Sequence, residues 1–230
     1  MDSNNPMRES GYRLRKAIGL FGLVLPGLLY LIHGNLLSSL SHYYYSSAVV
    51  LFIGILFSFG LVLISYTGYP KDDDETLSDD LLTTLAGIFI FIAVIIPVKS
   101  KGYLGQVFDK NSDYLFGHES DIKNMIHLAS AGLFLLILGY MCYGKFTRSK
   151  INRNYRYLYK ICGLTIWICL GLTIVGFIVG KIWFENDLDR YLPGYTFWLE
   201  SVAVFAFAVA WLVKGRIQKD IRKIIDYFKK

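Results

Sequence analysis

Residues 38–65 read SSLSHYYYSSAVVLFIGILFSFGLVLIS. The first nine form a dense run of hydrogen-bonding side chains, and residues 47–65 then continue without one Asp, Glu, Lys or Arg. A soluble amphipathic helix shows a polar face repeating at helical spacing. Here the polar groups gather at one end of an apolar segment long enough to cross a bilayer, so the stretch reads as a transmembrane helix entered through a polar collar.

Working outward, five more apolar runs of similar length alternate with short charged connections, giving spans at 17–33, 47–65, 81–98, 125–143, 161–180 and 196–213. Glu200 is the only Asp, Glu, Lys or Arg in all six. With 54% hydrophobic and 16% aromatic residues, the composition excludes an ordinary soluble domain. The expected fold is all-α, a polytopic six-helix bundle in the cell membrane. If the N-terminus is inside, 18 of the 24 Lys and Arg fall on the inner side and 6 outside, which sets both termini in the cytoplasm. The first run spans fully and lacks a small-x-small cleavage site, so it is expected as an uncleaved span.

Three regions follow: a flexible cytoplasmic tail at 1–12, a membrane domain at 13–215 and a basic amphipathic helix at 216–230. In the last, Ile217, Ile221, Ile224, Ile225 and Phe228 share one face among Lys219, Arg222, Lys223, Lys229 and Lys230. Such a helix lies on a leaflet and takes anionic inner-leaflet lipids as partners. The basic residues border spans, so nucleic acid is not an expected partner. Cys142, Cys162 and Cys169 read as packing residues in or beside spans. The acids Asp72, Asp73, Asp74, Glu75, Asp79 and Asp80 form either a solvated loop facing the basic segment 145–160 or a divalent-metal site. Ser78 or Asp79 is the expected cap of the third span. The aromatic loop 99–123 is expected to fold onto the helices as a lid. Gly176 and Gly180 form a GxxxG, and Ala203, Ala206 and Ala210 a small-residue stripe; both suit contacts between subunits of an oligomeric effector or pore.

All four histidines, His33, His42, His118 and His127, fall on the outer side. Glu200 inside a span costs about 2.5–3.5 kcal/mol on insertion scales, so it must find a partner. His127 is the expected one, with Ser41, Tyr43 and Tyr45 as further donors. The candidate ligand-binding set is therefore Ser41, His42, Tyr43, Tyr45, His127 and Glu200, holding a lipid or small amphiphile in an outer-leaflet pocket without catalysis or cofactor. The alternative is a metal-dependent hydrolase with zinc on His42, His118 and His127.

Ser41-His42-Tyr43-Tyr44, Tyr66-x-Gly68-Tyr69, Ala86-Gly87-Ile88, His127 and Trp198-Leu199-Glu200 together resemble an uncharacterised bacterial six-span membrane protein family, with His42 where that pattern has Asp. The layout is similar to the Frag/DRAM/Sfk group over residues 14–215. Ser38-x-x-x-His42 also resembles the first zinc element of the CREST membrane hydrolases, a resemblance that implies zinc chemistry. The late His-x-x-x-His pair of that group is missing, since no histidine follows His127.

Overall fold

The computed structural model describes residues 6–68, 71, 75–100, 116–148, 154–184 and 188–228. They are helical, with no strand among the described residues. In chain order the elements are α1 (Pro6–His33), a 3-10 turn (Leu40–Tyr45), α2 (Val49–Ile64), α3 (Asp79–Ile95), α4 (Asp121–Tyr140), α5 (Arg156–Trp183), a short α6 (Leu188–Tyr191), α7 (Tyr195–Lys214) and α8 (Ile217–Phe228). A π-helical turn, Met141–Lys145, and a 3-10 turn, Phe146–Arg148, prolong α4.

Four stretches, Ser10–His33, Asp121–Arg148, Arg156–Trp183 and Tyr195–Lys214, are long and apolar enough to cross a membrane, which is consistent with an integral membrane protein. Helix α2 is as apolar but only 16 residues long, and α3 has 17. Large apolar side chains such as Val50, Phe177, Ile182 and Trp183 stand exposed, and an open apolar groove of about 660 Å³ runs along α1 and α2. A water-soluble surface does not carry apolar area on this scale.

Packing follows the order of the chain. Helix α1 lies on α2, α2 on α3, α3 on α4, α4 on α5 and α5 on α7, and α7 returns to α1. Glycines bring the backbones close at three seams. A Cβ on Gly87 would stand 2.8 Å from Gly60 O, one on Gly163 2.7 Å from Gly139 O, and one on Gly19 2.9 Å from Ala208 O. Real Cβ atoms do not approach so closely, so these seams need a residue without one. Ala203 and Ala210 are fully buried, and Gly176 and Gly180 face Tyr195 and Leu188 of the same chain. These four residues thus have neighbours within the chain, while Ala206 of the same stripe is half-buried.

Side-chain bonds fix the helix directions. His127 near the start of α4 meets Ala93 and Ile96 at the end of α3, whereas Lys145 beyond the end of α4 meets Glu75 and Asp79 at the start of α3. The two helices are antiparallel and run side by side over their whole length. Tyr66 after α2 packs edge-on against Trp211 late in α7, with ring centroids 5.2 Å apart. The fold therefore has one end carrying the 3-10 turn and an opposite end where α1 begins and α7 finishes. At that second end Lys16 pairs with Asp220 of α8.

The caps are local. Ser78 accepts from Leu81 N–H and starts α3; Ser120, not anticipated as a cap, accepts from Lys123 N–H and starts α4. Helix α1 begins at Pro6, so much of the segment 1–12, expected as a loose tail, continues the helix. Within the added turns the Tyr12 ring lies under the guanidinium groups of Arg15 at 5.4 Å and Arg216 at 4.2 Å. Helix α8 is amphipathic, with Ile221 and Ile225 exposed. The acids 72–74 and the loop aromatics Tyr103, Phe108 and Tyr114 lie outside the described residues, while Phe116 is exposed. All three cysteines are buried and free.

Candidate functional site

The 3-10 turn is pinned from every side. Ser39 caps its start by accepting from Ser41 N–H, and Ser46 closes its end by donating to Tyr43 O and accepting from Ala48 N–H. Tyr43 donates to Asn35 O at 3.0 Å and Tyr45 to Val98 O at 2.7 Å, fastening the turn to the chain after α1 and after α3. Phe197 N–H donates to Ser38 O and ties in α7. Tyr43, Tyr44 and Tyr45 are buried, so the turn is a plug rather than a loop. Burial pushes the Tyr45 hydroxyl up to about 12 and raises Tyr44 as well, so both stay protonated. The buried Tyr44 hydroxyl has no partner among the described residues.

Glu200, one turn into α7, points at this plug. Its Oε2 accepts from Leu40 N–H at 2.7 Å and from Ser39 Oγ at 2.9 Å. This corrects the expected Glu200–His127 pair. Leu40 opens the turn, so its N–H has no partner within the turn, and a carboxylate satisfies such a donor and favours the positive end of the turn. His127 is held elsewhere. Its Nδ1 lies 2.9 Å from Ala93 O and 2.8 Å from Ile96 O, and its Nε2 lies 3.0 Å from Ser41 Oγ. Only an N–H sits between two carbonyl oxygens, so Nδ1 carries the proton; in the neutral ring, Nε2 accepts from the Ser41 hydroxyl.

Ser41, His127 and Glu200 nevertheless share one space. They line a cavity of about 70 Å³ whose walls are otherwise apolar: Leu25, Leu40, Phe52, Ile90, Phe134 and Val204, among others. The lining comes from α1, the plug, α2, α3, α4 and α7, which places the cavity on the axis round which these helices pack. A single water needs roughly 10–15 Å³ of such space. The cavity thus accepts a few waters or the polar head of a small molecule.

The other candidate residues are turned away from it. His42 Nδ1 lies 2.9 Å from Ser38 Oγ, and neither His42, Tyr43 nor Tyr45 lines the cavity. Burial, and then the cost of a second positive ring near His127, lowers the His42 pKa to about 4. His118 Nε2 donates to Pro97 O, 2.8 Å away, where Ser100 also bonds Glu119. His42, His118 and His127 therefore have different partners, and among the described residues no three His, Cys, Asp or Glu gather as a metal site.

Two kinds of functional group escape a reading of the sequence. Ser39 is one: its role as cap and as donor to Glu200 depends on the turn starting there, although Ser-x-Ser is a recognisable capping signal. The second kind is a pair of buried lysines, Lys145 and Lys214, which stand just past the ends of two apolar runs. Comparison with protein-family models, with curated proteins and with solved structures finds no match to the chain.

Proposed function

We propose that this is a six-span protein of the cell membrane, with both termini in the cytoplasm, which holds the polar head of a small amphiphile in the axial cavity beneath the plug. The six-span reading rests on the end-to-end contacts. Helix α3 is coextensive with α4, and α2 reaches from the plug to Trp211, which supports reading both as spans beside the four longer helices. The orientation rests on the excess of Lys and Arg at the end bearing the termini.

One observation carries the binding reading: three side chains able to donate or accept hydrogen bonds converge on a space with apolar walls, in the half of the membrane nearer the plug. Polar and ionisable groups placed inside a helix bundle face its interior, pair with one another and mark binding sites. The Ser41 oxygen, whose proton goes to His127, keeps lone pairs to accept with, and Glu200, bonded through Oε2, keeps its second carboxylate oxygen. Together they suit a head carrying a hydroxyl or a protonated amine. Native mass spectrometry of the detergent-purified protein tests this. A retained small amphiphile that is lost in His127→Leu supports the reading, whereas only the bare chain mass, from several hosts and detergents, removes it.

A second reading draws on the Ser41–His127 bond. A hydroxyl 3.0 Å from a ring nitrogen whose other N–H is fixed is the geometry of a serine nucleophile beside its base. The neighbouring amides weigh against it, because Leu40 N–H is taken by Glu200 and Ser41 N–H by Ser39. An oxyanion would find neither of these donors open. Labelling with an alkyl fluorophosphonate decides: a covalent adduct at Ser41 favours the enzyme, and its absence leaves the binding protein.

A further inference from the structure

The open groove along α1 and α2 and the axial cavity lie back to back. On α2, Leu51 and Ile55 line the groove while their sequence neighbours Phe52 and Leu56 line the cavity; on α1, Val24 lines the groove and Leu25 the cavity. Successive positions of a helix point about 100° apart, so on both helices adjacent side chains divide the two spaces. Leu25, Phe52 and Ile55 are buried between them.

Three other seams round the bundle are closed by backbone. A Cβ on Gly87 would crowd Gly60 O, one on Gly19 would crowd Ala208 O, and His127 bonds α4 to the carbonyls that end α3. Between α1 and α2 the glycines do the opposite, since Gly27 and Gly54 meet nothing within 4 Å of a Cβ position. These two helices approach at the ends of the groove. Ser47 Oγ comes within 3.4 Å of Ile32 O at one end, and Phe59 within 3.4 Å of the Cβ position of Gly22 at the other. Opening the seam at Leu25 therefore takes rotation of apolar side chains rather than separation of backbones.

The chemistry of the two spaces is complementary. About 70 Å³ accepts a few water-sized groups and no hydrocarbon chain. The groove holds about 660 Å³ and, from residue 20 to residue 32, runs roughly 18 Å along α1, rather more than half of the ~30 Å hydrocarbon core. Its two hydroxyls, Ser47 and Ser58, give their protons to the carbonyls of Ile32 and Gly54. The groove thus suits a chain and not a polar head, and the cavity a head and not a chain.

We infer that the groove seats the hydrocarbon tail of the ligand whose head lies in the axial cavity. That ligand is then a long-chain amphiphile with a hydrogen-bond-donating head, of the class of a long-chain amine or alcohol, taken from the plug-side leaflet between α1 and α2. The inference rests on the binding reading given above. Hydrocarbon gains little by moving from lipid to an apolar groove, so the head in the cavity is what fixes the tail there.

The test uses the full chain in phosphatidylcholine nanodiscs and dodecylamine carrying a mid-chain diazirine. Native mass spectrometry reads retention, and peptide mapping after illumination reads the adduct. The amine is expected to be retained by the parent and lost in His127→Leu, and its His127-dependent adduct to fall within residues 20–32 or 47–58. Gly54→Phe sets a ring in the groove and is expected to weaken retention at least about tenfold, the effect of overpacking an occupied space. Gly171→Phe is the control: Gly171 of α5 is exposed and equally open, with nothing within 4 Å, and retention is expected to stay unchanged. Retention that needs His127 but is undiminished in Gly54→Phe, or a His127-dependent adduct on other helices, overturns the tail's seat and leaves the cavity reading standing. No retention of dodecylamine or of dodecanol removes both.

Discussion

Ser41 and His127 stand 86 positions apart on different elements, yet the serine hydroxyl meets Nε2 of the histidine at 3.0 Å. The bond joins the plug to α4, while the opposite ring nitrogen joins α4 to α3. His127 is therefore both a wall of the cavity and a rivet between three elements. Ser41→Ala leaves a buried ring nitrogen without its donor and is expected to cost about 1–3 kcal/mol of stability, read from thermal unfolding in detergent. An unchanged midpoint would mean that the bond does not hold the plug.

Glu200 separates two roles through two substitutions. Glu200→Gln keeps an oxygen able to accept from Leu40 N–H and Ser39 Oγ, so stability is expected to stay within about 1 kcal/mol of the parent. Glu200→Leu strands both donors and loses about 1–3 kcal/mol. If a cationic head occupies the cavity, Gln also loses the ligand by native mass spectrometry while keeping the fold, because the opposing charge has gone.

His42 makes acid stability a readout of the plug. Its pKa falls from an ordinary 6.5 to about 4 in the folded chain, so the unfolded chain binds the extra proton between these values. The contribution is complete above pH 6.5 and is lost as the pH falls through about 4. The unfolding midpoint is expected to drop across that window, and His42→Gln to flatten the drop. A profile of equal slope in both proteins would place the titration elsewhere.

Gly68 offers a sharp packing test. Its φ is +68°, and a Cβ there would stand 2.2 Å from Asp79 Cβ. Gly68→Ala is expected to cost about 2–5 kcal/mol, combining left-handed strain with a clash against a fully buried side chain. Gly54, with nothing within 4 Å of its Cβ position, is the control: Gly54→Ala in the middle of α2 is expected to be neutral or to gain about 0.5–1 kcal/mol.

Orientation is open to labelling with a membrane-impermeant thiol reagent in a background lacking the native cysteines. Cysteine at Asn111 is expected to react from outside the cell and cysteine at Asn154 only after permeabilisation. The reverse pattern would invert the protein in the membrane.

The helices were legible because their signal is one-dimensional. Unbroken apolarity over 161–180 or 196–213 needs no knowledge of neighbours, and the two helices there extend each run by a few residues at most. The partner of Glu200 was not legible. The sequence offers His127 as the conspicuous complement, but the carboxylate goes to a backbone N–H that exists as an unmet donor only because a turn starts at Leu40. Lys145 was hidden for a related reason. It looks like the first residue of a basic loop, and the π-helical turn carries it inward to Glu75. Composition locates where a helix ends, but not which way its last residues face.

The packing order has a consequence for how the chain is assembled. Each seam joins helices that are consecutive among the long ones, except the seam between α1 and α7, which closes the circle. A chain entering the bilayer helix by helix can dock each newcomer on its predecessor, and the circle stays open until α7 arrives with Glu200 for one end and Trp211 and Lys214 for the other. The axial cavity is thus closed in a single late event. The closing seam also ties α1 to α8 through Lys16 and Asp220. A chain cut between α2 and α3 and joined from α8 to α1 would close the same circle from a different starting point, with α2 the last helix to dock.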